Sequence, residues 1–233
     1  MKMKIIGHRG VPSLKLENTL ASFKEAVRLG VPMIELDVHL TADNHVVVCH
    51  DSNLEKVGGG NHEIAELTYE ELKKLPLANG DPAPLLAEVL EVIKDIPVVV
   101  EIKAKGAVDH VLKIIDEMPH SQVRIASPHI GEIEQLKKLR KDISGYIRSL
   151  SSPFEVIYLA KSLGADGIDL NFWILNPLTY WMARRNDLDI MVFTVNNRFV
   201  ARFIHLLYPR VMICTNYPQK FLPRKRRRQL KKS

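Results

Sequence analysis

Four short polar steps interrupt otherwise apolar runs: His8-Arg9, Glu35-Leu-Asp37, His50-Asp51 and Glu101-Ile-Lys103. Residues two apart in a strand share a face, so Glu35 and Asp37 point the same way, and Glu101 and Lys103 repeat that geometry. His8 ends one β-rich run and His50 ends another. Gathered at one mouth, the set offers three carboxylates, two imidazoles and the cations Arg9 and Lys103. Three carboxylates held close together repel unless a cation neutralises them. A hard divalent ion is the natural neutraliser, and with no cysteine in the set the oxygen donors favour Mg²⁺ or Ca²⁺ over zinc. Arg9 and Lys103 are what a phosphate requires, and two histidines flanking it supply a general acid and a general base near neutral pH.

Such a set needs a scaffold that brings distant strand ends together. From Met3 onward, short β-rich runs alternate with longer runs of helical period, the pattern of a parallel sheet wrapped by helices. The strands are expected at Met3 to His8, Met33 to Val38, Pro97 to Ile102, Gln122 to Ala126, Ile143 to Arg148, Gly167 to Leu170, Leu188 to Val195 and Val211 to Cys214. Helices are expected at Asn18 to Leu29, Leu85 to Lys94, Val108 to Glu117, Ile130 to Arg140, Phe154 to Leu163, Leu178 to Arg185 and Phe199 to Leu207. Eight such units point to an α/β fold, a closed (β/α)8 TIM barrel in which charged residues at C-terminal strand ends read as a site. The pattern breaks once. His45 to Cys49 reads as an extra strand reached through the turn Thr41-Ala-Asp-Asn44. Residues 51–84 read as a rim insertion, with a short helix over Leu67 to Leu75 capped by Thr68 and Glu71.

His8-Arg9-Gly10, Glu17-Asn18-Thr19, Glu35-Leu-Asp37-Val-His-Leu-Thr41-Ala-Asp43, His50-Asp51 and Glu101-Ile-Lys103, in this order, resemble the glycerophosphodiester phosphodiesterase family. Weaker matches follow at Ser127, Thr194-Val195-Asn196 and Thr215-Asn216-Tyr217-Pro218, so the likeness runs from His8 to about Pro218. It implies a TIM-barrel hydrolase that uses one divalent cation, Mg²⁺ or Ca²⁺ with Mn²⁺ as a third choice. The expected substrate is a small glycerophosphodiester, cleaved to glycerol 3-phosphate and an alcohol. Glu35, Asp37 and Glu101 would hold the metal, His8 and His50 would be the acid-base pair, and Arg9 and Lys103 would hold the phosphate. Glu17 would order the site and Asn18 would cap the first helix. The resemblance leaves open which histidine is the acid, and whether water or a glycerol hydroxyl attacks. The alternative is a lysophospholipase D-like enzyme acting on lysolipids across an apolar groove, for which Val57, Trp173, Ile174 and Leu175 are the candidates. Three positions depart from the family's usual residues: Leu16 for proline, Phe193 for tryptophan and Asn216 for aspartate.

Of 33 basic residues, seven lie in 224–233 with no acid among them, which leaves 26 bases against 27 acids in the body. A body so nearly neutral gives no reason to expect specific nucleic-acid binding. The reading is therefore one barrel domain over 1–222 and a basic tail over 223–233 that could contact anionic lipid. Cys49 and Cys214 sit in apolar runs, as packed reduced thiols do, and the N-terminus lacks the apolar stretch of a signal peptide. A cytoplasmic, at most membrane-peripheral, enzyme is the expectation. His39 shares the face of Glu35 and Asp37 but is expected to support the site or lie exposed. His45, His62, His110, His120, His129 and His205 are expected at the surface without carboxylate partners, and Trp173 and Trp181 as packing residues.

Overall fold

A computed structural model describes residues 2–94, 96–118, 122–149 and 152–222; the basic tail lies outside them. Eight parallel strands close on themselves: β1 (Lys4–His8), β2 (Ile34–Leu40), β6 (Val98–Ile102), β7 (Val123–Ser127), β8 (Ser144–Ser149), β9 (Gly167–Asn171), β10 (Asp189–Phe193) and β11 (Met212–Thr215), which returns to β1. The helices between them are α1 (Leu20–Leu29), α3 (Leu86–Ile93), α4 (Val108–Glu117), α5 (Ile130–Leu139), α6 (Pro153–Leu163), α7 (Pro177–Arg185) and α8 (Arg198–Leu207). This is the expected TIM barrel. Its main apolar core lies between the strands and the helix ring, built from residues such as Phe23, Leu36, Val100, Ile125, Ile168 and Ile213.

Alternate residues of the same strands face inward. Ile6, Val99, Ala126, Tyr146, Met191, Phe193, Met212 and Cys214 make a second, smaller core inside the barrel. Gly167 is required there, because a Cβ on it would lie 2.4 Å from the Tyr146 ring. Two residues further along their strands, the inward positions on β1, β6, β8 and β9 turn polar, and that change of character marks the mouth.

β2 is longer than its barrel neighbours need. Ile34 and Glu35 pair with β1, whereas Val38 to Leu40 pair antiparallel with β3 (Val46–Val48), which takes the place of β1 beyond the mouth. The extra strand is thus a hairpin partner of β2, as the Asp-Asn turn predicts. The insertion carries a small β4–β5 ribbon (Asn53–Leu54, Gly60–Glu63) and α2 (Tyr69–Leu72). Val47, Cys49, Leu54, Val57, Ile64, Tyr69 and Leu72 give it an apolar cluster of its own. α2 is a single turn and not the nine residues expected, because Pro76 follows closely. Its Thr68–Glu71 capping box is present. α1 begins at Leu20, two residues late, for a reason that bears on the site.

Candidate active site

The turn after β1 brings the first components together. Arg9 and Gly10 both take positive φ, 54° and 86°, bending the chain so that the Arg9 backbone N–H donates to Glu35 Oε2 at 3.0 Å. Gly10 cannot be replaced cheaply, since a Cβ there would lie 2.4 Å from Ser22 Oγ. That hydroxyl fixes the turn, donating to the Arg9 carbonyl at 3.0 Å and accepting from Val11 N–H at 2.8 Å. The Arg9 guanidinium then crosses the mouth, Nε 3.1 Å from Asp37 Oδ2 and Nη1 donating to Glu17 Oε1 at 2.6 Å.

Asn18 does not cap α1. Thr19, with the extended backbone that a cap needs, accepts from Ser22 N–H through its hydroxyl. Asn18 sits at φ 53°, which turns its amide inward to donate to Asp37 Oδ2 at 2.9 Å. It is a partner of the acidic cluster instead.

Glu35, Asp37 and Glu101 are buried, and one carboxylate oxygen from each lies within 4.8 Å of the others. Glu35 Oε1 is buried without a hydrogen-bond partner, whereas Asp37 Oδ1 and the Glu101 oxygens meet cations. Burial and the neighbouring Asp37 charge push the Glu35 carboxyl up to about 7. Burial also acts on Asp37, but Lys103 and Arg9 overcome it and hold its carboxyl well below the usual range. Lys103 Nζ stands 2.7 Å from Glu101 Oε1 and 3.3 Å from Asp37 Oδ1. Its backbone is held from both sides, by its own N–H on the Val38 carbonyl and by His129 Nε2–H donating to its carbonyl at 2.9 Å.

Two members of the cluster escaped the sequence reading. Arg148 on β8 contacts Glu101 and lies 3.7 Å from Asp169 Oδ2 on β9. Its guanidinium stacks 3.6 Å over the Phe193 ring. Burial lifts the Asp169 carboxyl to about 6 against the pull of Arg148. Their signal was available, since Arg148 and Asp169 follow Tyr146 and Gly167 at period two; each looked like an ordinary charge on a short strand. Phe193, where an indole is usual in the resembling family, serves here as the face on which Arg148 rests.

The two histidines have different partners. His8 Nδ1 lies 2.6 Å from Asn216 Oδ1, an oxygen that can only accept, so Nδ1 carries the proton and Nε2 keeps its lone pair, 3.9 Å from Glu35 Oε2. Burial and then the Arg9 charge lower His8 to about 4. His50 Nδ1 donates to Asp51 Oδ1 at 2.8 Å, and Lys56 holds the other Asp51 oxygen at 2.7 Å. Burial lowers His50 as well, with the Asp37 charge opposing. His39 donates from Nε2 to the His50 carbonyl at 3.1 Å, a supporting contact.

Several expectations need correcting. Cys214 belongs with the set after all, its Sγ within 4.8 Å of donor atoms of His8 and Glu35; burial raises its thiol, so it stays protonated and is a poor ligand. His45 does have a carboxylate partner, Asp43 Oδ2 at 3.2 Å. Val57 is buried in the insertion's cluster, and Ile174 and Leu175 pack partly against the main core, which leaves Trp173 as the exposed member of the four. Trp173 and Trp181 are exposed and do not pack in the interior. His120 lies outside the described residues.

Comparison with known proteins agrees with this fold. Residues 8–220 match the model of the glycerophosphoryl diester phosphodiesterase family. The chain belongs to that family. It is accordingly an enzyme, a phosphoric diester hydrolase. A glycerophosphodiester phosphodiesterase of Caldanaerobacter subterraneus subsp. tengcongensis is 30% identical over 85% of this chain and 88% of its own. A lysophospholipase D of Homo sapiens is 38% identical over 49% of this chain and 40% of its own length. Among solved structures, an Oleispira antarctica phosphodiesterase in complex with the product sn-glycerol-3-phosphate superposes with a TM-score of 0.88 at 22% identity, covering 94% of each chain.

Proposed function

We propose that this enzyme hydrolyses water-soluble glycerophosphodiesters to glycerol 3-phosphate and an alcohol, with Glu35, Asp37 and Glu101 holding one divalent cation. The observation that carries the reading is the crowding of three buried carboxylates on β2 and β6, one oxygen of each within 4.8 Å of the others and Glu35 Oε1 without a hydrogen-bond partner. Such a cluster is costly without a ligand. Charge supports it too. The four buried carboxylates, Glu35, Asp37, Glu101 and Asp169, face three cations, Arg9, Lys103 and Arg148. A divalent ion would make that set singly positive, which matches the single negative charge of a phosphodiester. Oxygen donors suit Mg²⁺ or Ca²⁺, with Mn²⁺ next.

When bound, the ion supplies Lewis-acid polarisation of a phosphoryl oxygen. The chain's own residues do the rest. Lys103 and Arg9 turn their charge to the phosphate, and Glu17 and Asn18 keep Arg9 and Asp37 aimed at the mouth. His8, neutral and with Nε2 unprotonated, takes the proton from the attacking oxygen, either water directly or a glycerol hydroxyl whose cyclic phosphate water then opens. His50, whose protonated form the Asp51 carboxylate supports against burial, gives a proton to the leaving alcohol.

The test is release of glycerol phosphate from glycerophosphocholine and glycerophosphoethanolamine. Turnover stopped by EDTA and restored by one of Mg²⁺, Ca²⁺ or Mn²⁺ is expected; undiminished turnover in EDTA would end the metal reading. A long-chain lysolipid in the same assay measures the second reading, which is favoured by the exposed Trp173 beside the mouth and the partial likeness to a lysophospholipase D.

Asn216 offers a test of the base. A neutral amide holds His8 where a carboxylate is usual in the family. With Asn216→Asp, an opposite charge within hydrogen-bond reach favours the protonated ring and raises its pKa by about 1–3 units. The acid limb of the kcat/KM profile should move to higher pH by that amount. An unmoved limb would mean that His8 is not the titrating base.

A further inference from the structure

We propose that the outer face of α7 and α8 is a docking surface for an anionic lipid bilayer. On α8 the outward positions 199, 202, 203, 206 and 207 hold Phe199 (79% exposed), Arg202, Phe203 (62%), Leu206 (77%) and Leu207. They stand on one side of the helix, while Ala201 and Ile204 pack inward. A helix that needed only a wet outer face would carry polar residues there. α7 continues the patch with Leu178, Trp181 and Arg185, the guanidinium of Arg185 stacking 4.5 Å over the Trp181 ring. The two helices touch through Tyr180 and Tyr208, whose rings are 5.0 Å apart. Trp173, 80% exposed, adds a third aromatic at the end of β9.

Charge selects the partner. Neither α7 nor α8 contains an Asp or Glu, whereas Arg184, Arg185, Arg198 and Arg202 all lie on them. The nearest acids in sequence, Asp187 and Asp189, follow the far end of α7, where Asp189 is 3.6 Å from Arg184. Aromatic and aliphatic side chains set among arginines suit the boundary between lipid head groups and acyl chains. A second copy fits poorly, because a two-fold interface lays the patch on itself and sets Arg185 and Arg202 against like charge with no acid to pair them. The sequence continues into the seven basic residues of 224–233, which add attraction of the same sign. Leu178 and Phe199 stand in the first turns of their helices and Trp173 follows a strand end, so the patch adjoins the rim on which His8 and Glu35 open. Docking therefore brings the mouth to the lipid surface whichever diester it cleaves.

The only two tryptophans of the chain, Trp173 and Trp181, both lie on this surface, so intrinsic fluorescence reads it directly. The full chain should float with phosphatidylcholine vesicles carrying about one-third phosphatidylserine, and its emission should shift to the blue. The variant F199S/F203S/L206S should lose about tenfold or more of that partitioning. Its circular dichroism and its hydrolysis of a soluble diester should be unchanged. Equal flotation of the variant, or a wild type whose emission does not move, would overturn the proposal. A wild-type dimer that the triple variant converts to monomer would assign the face to a second copy instead.

Discussion

Glu35→Gln is expected to lower turnover by about a thousandfold or more, a loss of about 4 kcal/mol of transition-state stabilisation, and to leave the protein folded. The amide keeps the shape and keeps an acceptor for the Arg9 backbone N–H, now 3.0 Å from Oε2. It removes the charge that, with Asp37 and Glu101, would draw the cation. Stability separates this loss from unfolding. Burial and Asp37 raise the folded-state pKa of Glu35 from 4.5 to about 7. The ionised carboxylate is therefore a cost to the metal-free fold, growing as pH rises from about 4.5 and complete above about 7. In EDTA at pH 8 the variant's Tm should equal or exceed that of the wild type, and the difference should vanish below about pH 4.5. Divalent ions should raise the Tm of the wild type and not of the variant, because only the former binds them in the folded state. A variant with most of its activity left would remove Glu35 from the metal set.

The order of strands and helices was legible because barrel strands are apolar on both faces and their helices repeat at three and four. Val108–Glu117 is found at the bounds that periodicity predicts. The site was legible where an acid or a histidine ended such a strand, as at His8, Glu35, Asp37 and Glu101. It was less legible on β8 and β9. Arg148 pairs with Asp169 and with Glu101 across the barrel, and although both residues keep the period-two spacing, nothing local in the sequence names their partners. Asn18 shows the opposite error. Asparagine before a helix is a sound cap by type, yet the tight turn from Arg9 to Asn18, closed by Asn18 N–H on the Arg9 carbonyl at 3.2 Å, sets its φ positive and passes the cap to Thr19. The exposed apolar face of α8 had no signature of its own in the sequence. Phe203 and Ile204 are adjacent and equally apolar in sequence, but only the closed barrel decides that one is covered and the other is not.

The division of labour between the histidines should appear in the leaving group. His50→Ala removes the residue positioned by Asp51 to protonate the departing alcohol, and with glycerophosphocholine it should cost about 10²–10⁴ in kcat. A glycerophospho-nitrophenyl ester expels a phenolate that needs no proton. On that ester the His50→Ala loss should shrink to about tenfold or less, since only the acid's contribution has been removed. His8→Ala should fail on both substrates, because the attacking oxygen must lose its proton whatever leaves. The surroundings motivate this asymmetry: burial and Arg9 keep His8 neutral, with Nδ1 donating to Asn216 and Nε2 free to take a proton, whereas a carboxylate, Asp51, faces His50 Nδ1 and favours its protonated form. The reverse pattern, rescue of His8→Ala and not of His50→Ala, would exchange the two roles. Equal losses on both esters for both variants would sink the acid-base division itself and leave the histidines as groups that only position the phosphate.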